Sequence, residues 1–168
     1  DEIADLIDSY RIHGKGSDKY DNVRIGMNSR LDTIQAIILS IKLSIYAGEI
    51  EARNRIAARY NALLKHKVIV PQVPEGFESV WAQYTVRLPD ARTRSEVQAH
   101  LKDKGIPTAI YYPIPLHRQT AYDRFPSDPA GLRATELAAD EVLSLPMHAY
   151  LDEATQDRIA DALIEALD

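Results

Sequence analysis

The stretch "VRIGMNSRLDTIQAIILSIKLSIY", residues 23–46, sets a polar corner directly against a long apolar segment. Gly26, Asn28, Ser29 and Arg30 crowd ahead of Leu31, Ile34, Ile38, Ile41 and Ile45, which recur in steps of three and four, the spacing of a helix. Ala36, Ile37, Leu39 and Leu43 widen that stripe until most of the circumference is apolar. A helix of this kind is expected to be covered by another layer or another subunit. Ser29, with Asp32 three residues on, has the form of a capping box. Asn28 brings an amide donor and Arg30 a planar fork suited to carboxylate or phosphate. Two readings stand side by side: a helix cap with a surface arginine, or a small anion site at a helix N-terminus.

The helix is expected over 30–46. Gly48 is expected to break the chain before a second helix over 49–65, whose apolar face runs through Ile56, Tyr60, Leu63 and Leu64. Upstream, Ile3, Leu6, Ile7 and Tyr10 predict a helix over 2–12 ended by Gly14 and Gly16, and 14–26 reads as a loop. His13 at that helix end suits the dipole. Beyond Pro71 and Pro74 the pattern changes. Val80, Ala82, Tyr84, Val86 and Leu88 alternate as in a strand. Residues 94–104 form an amphipathic helix stopped by Gly105. "IPTAIYYPIP" reads as a second strand, 129–141 as a helix, "VLSLPMH" as a third strand, and the terminal segment as a helix capped by Asp152. The fold class expected is α+β, with a small antiparallel-type sheet, helices on one side, and long connecting helices before it.

Bulk properties narrow the function. The 168 residues carry a net charge of −5, with no basic cluster, which argues against nucleic acid. There is no cysteine, so disulfides, thiol catalysis and Cys-ligated zinc are excluded. The five histidines show no HExxH-like spacing, so no metal site is expected. The run "IQAIILSIKLSIY" is interrupted by Gln35 and Lys42, and no membrane span is expected. The N-terminus is acidic and starts in mid-pattern without Met, as expected of a piece of a longer chain. The histidine of "PLH", His117, stands in a loop. Trp81 is expected in the core, His148 and Tyr150 in structural roles, and the acidic side of the last helix in solvent.

Five segments, in this order and spacing, carry a resemblance: "HGKGSDKYDNVRIGMNSRLDTIQAIIL", "RNRIAARYNALL", "VWAQYTVRL", "GIPTAIYYPIPLHRQ" and "VLSLPMHAYL". Together they resemble the C-terminal part of the DegT/StrS family of sugar aminotransferases, which use pyridoxal 5′-phosphate on the type I aminotransferase fold. "YPIPLHRQ" and "SLPMHAYL" are most similar to the branch that aminates the 3-oxo group of a UDP-2-acetamido uronic acid. The resemblance implies three parts: 1–28 as the last segment of the large cofactor-binding domain, 29–66 as connecting and interface helices, and 67–168 as the small C-terminal domain. It implies a cytoplasmic homodimer in lipopolysaccharide O-antigen or other surface polysaccharide synthesis, with a nucleotide sugar as substrate and glutamate as amino donor.

By the same resemblance, Asn28 reaches the cofactor phosphate of the other subunit and Arg30 points toward substrate. Tyr111, Tyr112 and His117 line the sugar pocket. The branch often has His-Tyr where this chain has Tyr111-Tyr112, which takes a group titrating near neutral pH away from position 111. None of Lys15, Lys19, Lys42, Lys65, Lys67, Lys102 and Lys104 lies in a motif matching the family's Schiff-base lysine, so no catalytic residue is expected in this chain and it is expected to be inactive by itself. A non-catalytic dimerisation or regulatory module is the alternative, and a dehydratase of the same family, with histidine in place of the lysine, a third.

Overall fold

The structure is a computed structural model of the chain and describes every residue except Lys19. The chain forms two compact units, residues 1–46 and 47–168. The boundary falls inside a single helix.

In the first unit, α1 (Glu2–Arg11) is capped by Asp1, whose carboxylate accepts from the Ile3 amide. The chain then reverses through His13 and Gly14, both at positive φ. His13 therefore lies beyond the helix, its amide bound to the Met27 carbonyl, and Arg11 is the basic residue of the last turn. Residues 27–29 run back antiparallel to 10–12, with Met27 N–H on Tyr10 O and Ser29 N–H on Arg11 O, both at 2.8–2.9 Å. Two glycines allow this close approach. A Cβ on Gly26 would stand 2.1 Å from the Gly14 nitrogen, and one on Gly14 would stand 1.9 Å from the Arg24 carbonyl oxygen.

The expectation of two helices broken at Gly48 is corrected: α2 is one helix, Thr33–Leu64, of 32 residues. An interior glycine costs only about 1 kcal/mol relative to alanine, and flanking helix formers outweigh it. The start is corrected as well. The helix begins at Thr33, with the Asp32 carbonyl accepting from Ala36 N–H, so Ser29 is not its cap and Asn28 and Arg30 precede its first turn. The uninterrupted helix is long and apolar enough to cross a membrane by length and composition only, a test that the core helix of a soluble protein also passes.

The second unit holds the core. Ile56, Ala57, Tyr60 and Leu64 of α2 are buried together with Leu101 of α3 (Ala91–Asp103) and with Ile159 and Leu163 of α5 (Glu153–Glu165). Tyr60 and Tyr84 stack at 4.8 Å between ring centroids. Their hydroxyls donate to Pro146 O at 3.1 Å and to Asn61 Oδ1 at 2.6 Å, which satisfies the polar tips inside an apolar setting. Gln156 is buried and its amide donates to Ile56 O at 3.0 Å. The acidic side of α5 is not simply solvated, because Asp157 pairs with Arg59 at 2.8 Å and Glu165 pairs with Lys104. Asp152 caps α5 and Gly105 follows α3 at positive φ, as their spacing predicts.

The sheet is smaller than the alternation suggests. Among the described residues only β1 (Tyr84–Arg87) and β2 (Val142–Leu145) form strands, antiparallel, with Tyr84 opposite Leu145 and Thr85 opposite Ser144. The strand expected from 106–113 is reduced to one bridge between Ala109 and Ser144, flanked by Pro107 and Pro113, neither of which has an amide to donate. The strand expected from 79 begins only at Tyr84, because Trp81 takes a positive φ. Its indole N–H donates to Asn54 Oδ1 at 2.9 Å, and the side chain is buried as expected. The last helix before β2 is α4 (Arg133–Glu141).

The apolar half of α2 is exposed within this chain: Ile34 keeps 74% of its surface and Leu43 73%. A Cβ on Gly48 would meet nothing within 4 Å. Gly48→Ala is therefore expected to stabilise the chain by up to about 1 kcal/mol in thermal or urea unfolding. A loss of stability would restore the helix break.

Candidate functional site

Two groups of side chains stand out, one in each unit. In the first, the antiparallel run from Met27 to Ser29 places Asn28 opposite Ile12 and leaves its side chain in solvent. Arg30 Nε donates to Asn28 Oδ1 at 2.8 Å. The bond turns the Asn28 oxygen toward Arg30 and leaves the Asn28 amide N–H donors and both Arg30 terminal nitrogens available. The pair is thus a small cluster of donors, which suits a phosphate or a carboxylate. The donors come from side chains alone, since the helix end that would add its dipole starts later, at Thr33.

In the second unit, Tyr111, Tyr112, Ile114, Pro115, Leu116 and Gln119 line a cavity of about 490 Å³. Tyr111 and Tyr112 stand at one side, with their rings edge to face at 5.5 Å. Leu116 and Gln119 belong to the loop, and Thr135, Ala138 and Ala139 of α4 form the facing wall. A short 3-10 turn, Leu116–Arg118, carries His117, whose side chain is only 19% exposed. His117 does not itself line the cavity but adjoins Leu116, which does.

Glu136 of α4 joins the turn to the helix. Its Oε1 receives His117 Nε2 at 3.2 Å, Arg118 Nε at 3.0 Å and an Arg118 terminal nitrogen at 2.6 Å. These hydrogen bonds, from Arg118 first and His117 second, hold the Glu136 carboxyl below its ordinary range. Sequence reading missed Glu136 and Arg118. Their pairing spans 18 residues and follows no helical or strand period, so no local signal marks it.

His148 and Tyr150 lie in a turn in which Tyr150 N–H donates to His148 Nδ1 and the Tyr150 hydroxyl to Glu49 Oε1 at 2.7 Å. Among the described residues, no three His, Asp or Glu side chains are grouped to hold a metal ion. Lys67 and Lys104 are engaged with Asp168 and Glu165; Lys19 lies outside the described residues.

A family model described as the DegT/DnrJ/EryC1/StrS aminotransferase family matches residues 1–164. The chain belongs to this family. Over 97% of its length it is 45% identical to the UDP-2-acetamido-2-deoxy-3-oxo-D-glucuronate aminotransferase of Pseudomonas aeruginosa, and it covers 44% of that protein. It is 39% identical, over 98% of its length, to a protein of Geobacillus stearothermophilus named a pleiotropic regulatory protein, of which it also covers 44%. A DegT/DnrJ/EryC1/StrS aminotransferase from Brucella abortus superposes with a TM-score of 0.88 at 50% identity, over 99% of this chain and 44% of that one. The chain thus spans less than half the length of these relatives. Aminotransferases of the DegT/DnrJ/EryC1/StrS family work with pyridoxal 5′-phosphate. The donor character of the Asn28–Arg30 pair fits the phosphate of that cofactor.

The Glu136 contacts carry a pH dependence. A carboxyl held below its ordinary value of 4.5 keeps its partners at every pH above that value and loses them as pH falls through the lowered one. An NMR titration is expected to show the Glu136 carboxyl carbon titrating below the ordinary glutamate value, with the Arg118 side-chain signals unchanged on acidification down to that value and moving with the carboxyl below it. Titration of Glu136 at or above the ordinary value would contradict the arrangement.

Proposed function

We propose that this chain is the C-terminal portion of a pyridoxal-phosphate-dependent aminotransferase that moves an amino group from an amino-acid donor, glutamate, to a keto sugar nucleotide. The observation that carries the reading is the 45% identity, along nearly the whole chain, to an aminotransferase named for a UDP-linked 3-oxo sugar acid. The setting is cytoplasmic synthesis of bacterial surface polysaccharide, and the working form is a homodimer. Residues 1–28 finish the large domain, 29–66 connect and form interface, and 67–168 make the small domain.

Bound pyridoxal phosphate supplies the electron sink for amino transfer. The residues of this chain bind and orient. Asn28 donates its amide hydrogens to the cofactor phosphate held by the other protomer. Arg30 remains a fixed cation for an anionic group of the substrate, for which a uronate carboxylate has the matching fork geometry. Tyr111, Tyr112 and His117 take the sugar at the cavity bounded by 111–119 and α4. The exposed face of α2 is covered by the rest of the enzyme and its second protomer, which removes from water the apolar surface this chain leaves bare.

Two substitutions in the complete dimer test the assignment. Asn28→Ala is expected to weaken cofactor retention roughly tenfold, the worth of one hydrogen bond to a charged group. Arg30→Ala is expected to raise KM for the sugar nucleotide roughly tenfold or more, with kcat changed less. Unchanged cofactor affinity and unchanged KM would overturn both roles. The chain by itself, mixed with pyridoxal phosphate and reduced with borohydride, is expected to show no adduct confined to one lysine. A single-site adduct would contradict the absence of a Schiff-base residue.

A second reading draws on the Geobacillus relative named as a regulatory protein. In it the chain serves a dimeric, non-catalytic module through the same α2 face. Dimerisation without any affinity of the complete protein for pyridoxal phosphate would favour it.

A further inference from the structure

Glu136 lies on α4, one residue after Thr135 and two before Ala138, both of which line the cavity. Its two partners lie in the turn between Leu116 and Gln119, which line the same cavity, though neither partner lines it itself. One carboxylate oxygen thus ties together the two segments that carry these lining residues. As a stabilising feature such a solvent-screened contact is worth little. Its effect on orientation is larger. His117 Nε2 is 3.2 Å from Glu136 Oε1, and a carboxylate only accepts, so this nitrogen carries the hydrogen. In the neutral ring Nδ1 is then left as an acceptor, suited to a hydroxyl donor such as a sugar provides. Arg118 fixes the same oxygen through two nitrogens, so the carboxylate has a defined place from which to hold the imidazole.

We propose that Glu136 is a positioning residue for sugar-nucleotide binding, acting through His117 by fixing the ring's orientation and the nitrogen it presents to the substrate. This rests on the reading above in which His117 contacts the sugar.

The test is steady-state kinetics of the holoenzyme carrying Glu136→Ala, Glu136→Gln, His117→Ala and the double variant with alanine at both positions. Glu136→Ala is expected to raise KM for the sugar nucleotide about five- to tenfold with kcat within about twofold, the pattern of lost binding rather than lost chemistry. Glu136→Gln keeps an acceptor oxygen on a side chain of the same length and is expected to restore KM to within about twofold of the parent. In the His117→Ala background, Glu136→Ala is expected to add nothing, since residues acting as one unit are not additive. Additive effects, a normal KM in Glu136→Ala beside a raised KM in His117→Ala, or a fall in kcat and KM that follows thermal stability in every variant would each overturn the proposal. A normal KM in His117→Ala would instead show that His117 does not meet the sugar, and the proposal would fall with that reading. Glu136→Gln keeps the question answerable if Glu136→Ala fails to fold.

Discussion

Helix α2 is asked to do two different things along one rod. Its C-terminal half places Ile56, Ala57, Tyr60 and Leu64 in a closed core with α3, α5 and the two strands. Its N-terminal half leaves Ile34, Ile37, Ile38, Leu39, Ile41, Leu43 and Ile45 in water. Burying one such side chain stabilises by about 1.5–3 kcal/mol, so a stripe of seven is a strong demand for a covering surface. The second unit meets its own demand; the first half of α2 does not. That imbalance agrees with a chain that spans 44% of its relatives, and it makes the apolar stripe the feature from which the rest is read.

The same constraint explains why the donor pair sits where it does. Asn28 and Arg30 lie on the short antiparallel return from α1, fixed by backbone bonds to 10–13 and by two glycines that let the strands close. They come directly before the apolar stripe begins. In the proposed dimer, the element that needs a partner surface also delivers the donors to it. The cavity beside 111–119 is held differently, by a carboxylate that joins loop to helix.

Much of this was legible in the residues, and the failures have physical causes. The five segments in register identified the family. Helical spacing found α1, α3, α5 and the buried face Ile56–Tyr60–Leu64, and Asp152 and Gly105 marked real ends. Gly48 misled because a single glycine is a small local cost inside a helix of 32 residues, with Ala47, Glu49, Glu51 and Ala52 beside it. Ser29 misled because a cap-like spacing does not fix where a helix starts; the backbone bonds to α1 hold 27–29 extended and delay it to Thr33. The alternation at 79–83 yielded to a left-handed Trp81 whose indole is bound to Asn54, a partner 27 residues away. Glu136 carried no local signal at all, because what matters about it is a contact with a turn 18 residues away.

The central claim is that the corner at 26–30 faces a cofactor held by another protomer. A crystal structure of the complete dimer with pyridoxal phosphate bound tests it most directly. The account predicts the Asn28 amide nitrogen within about 3 Å of a phosphate oxygen of the other subunit's cofactor. Asn28 and Arg30 found in bulk water, with that phosphate satisfied by other residues, would contradict it.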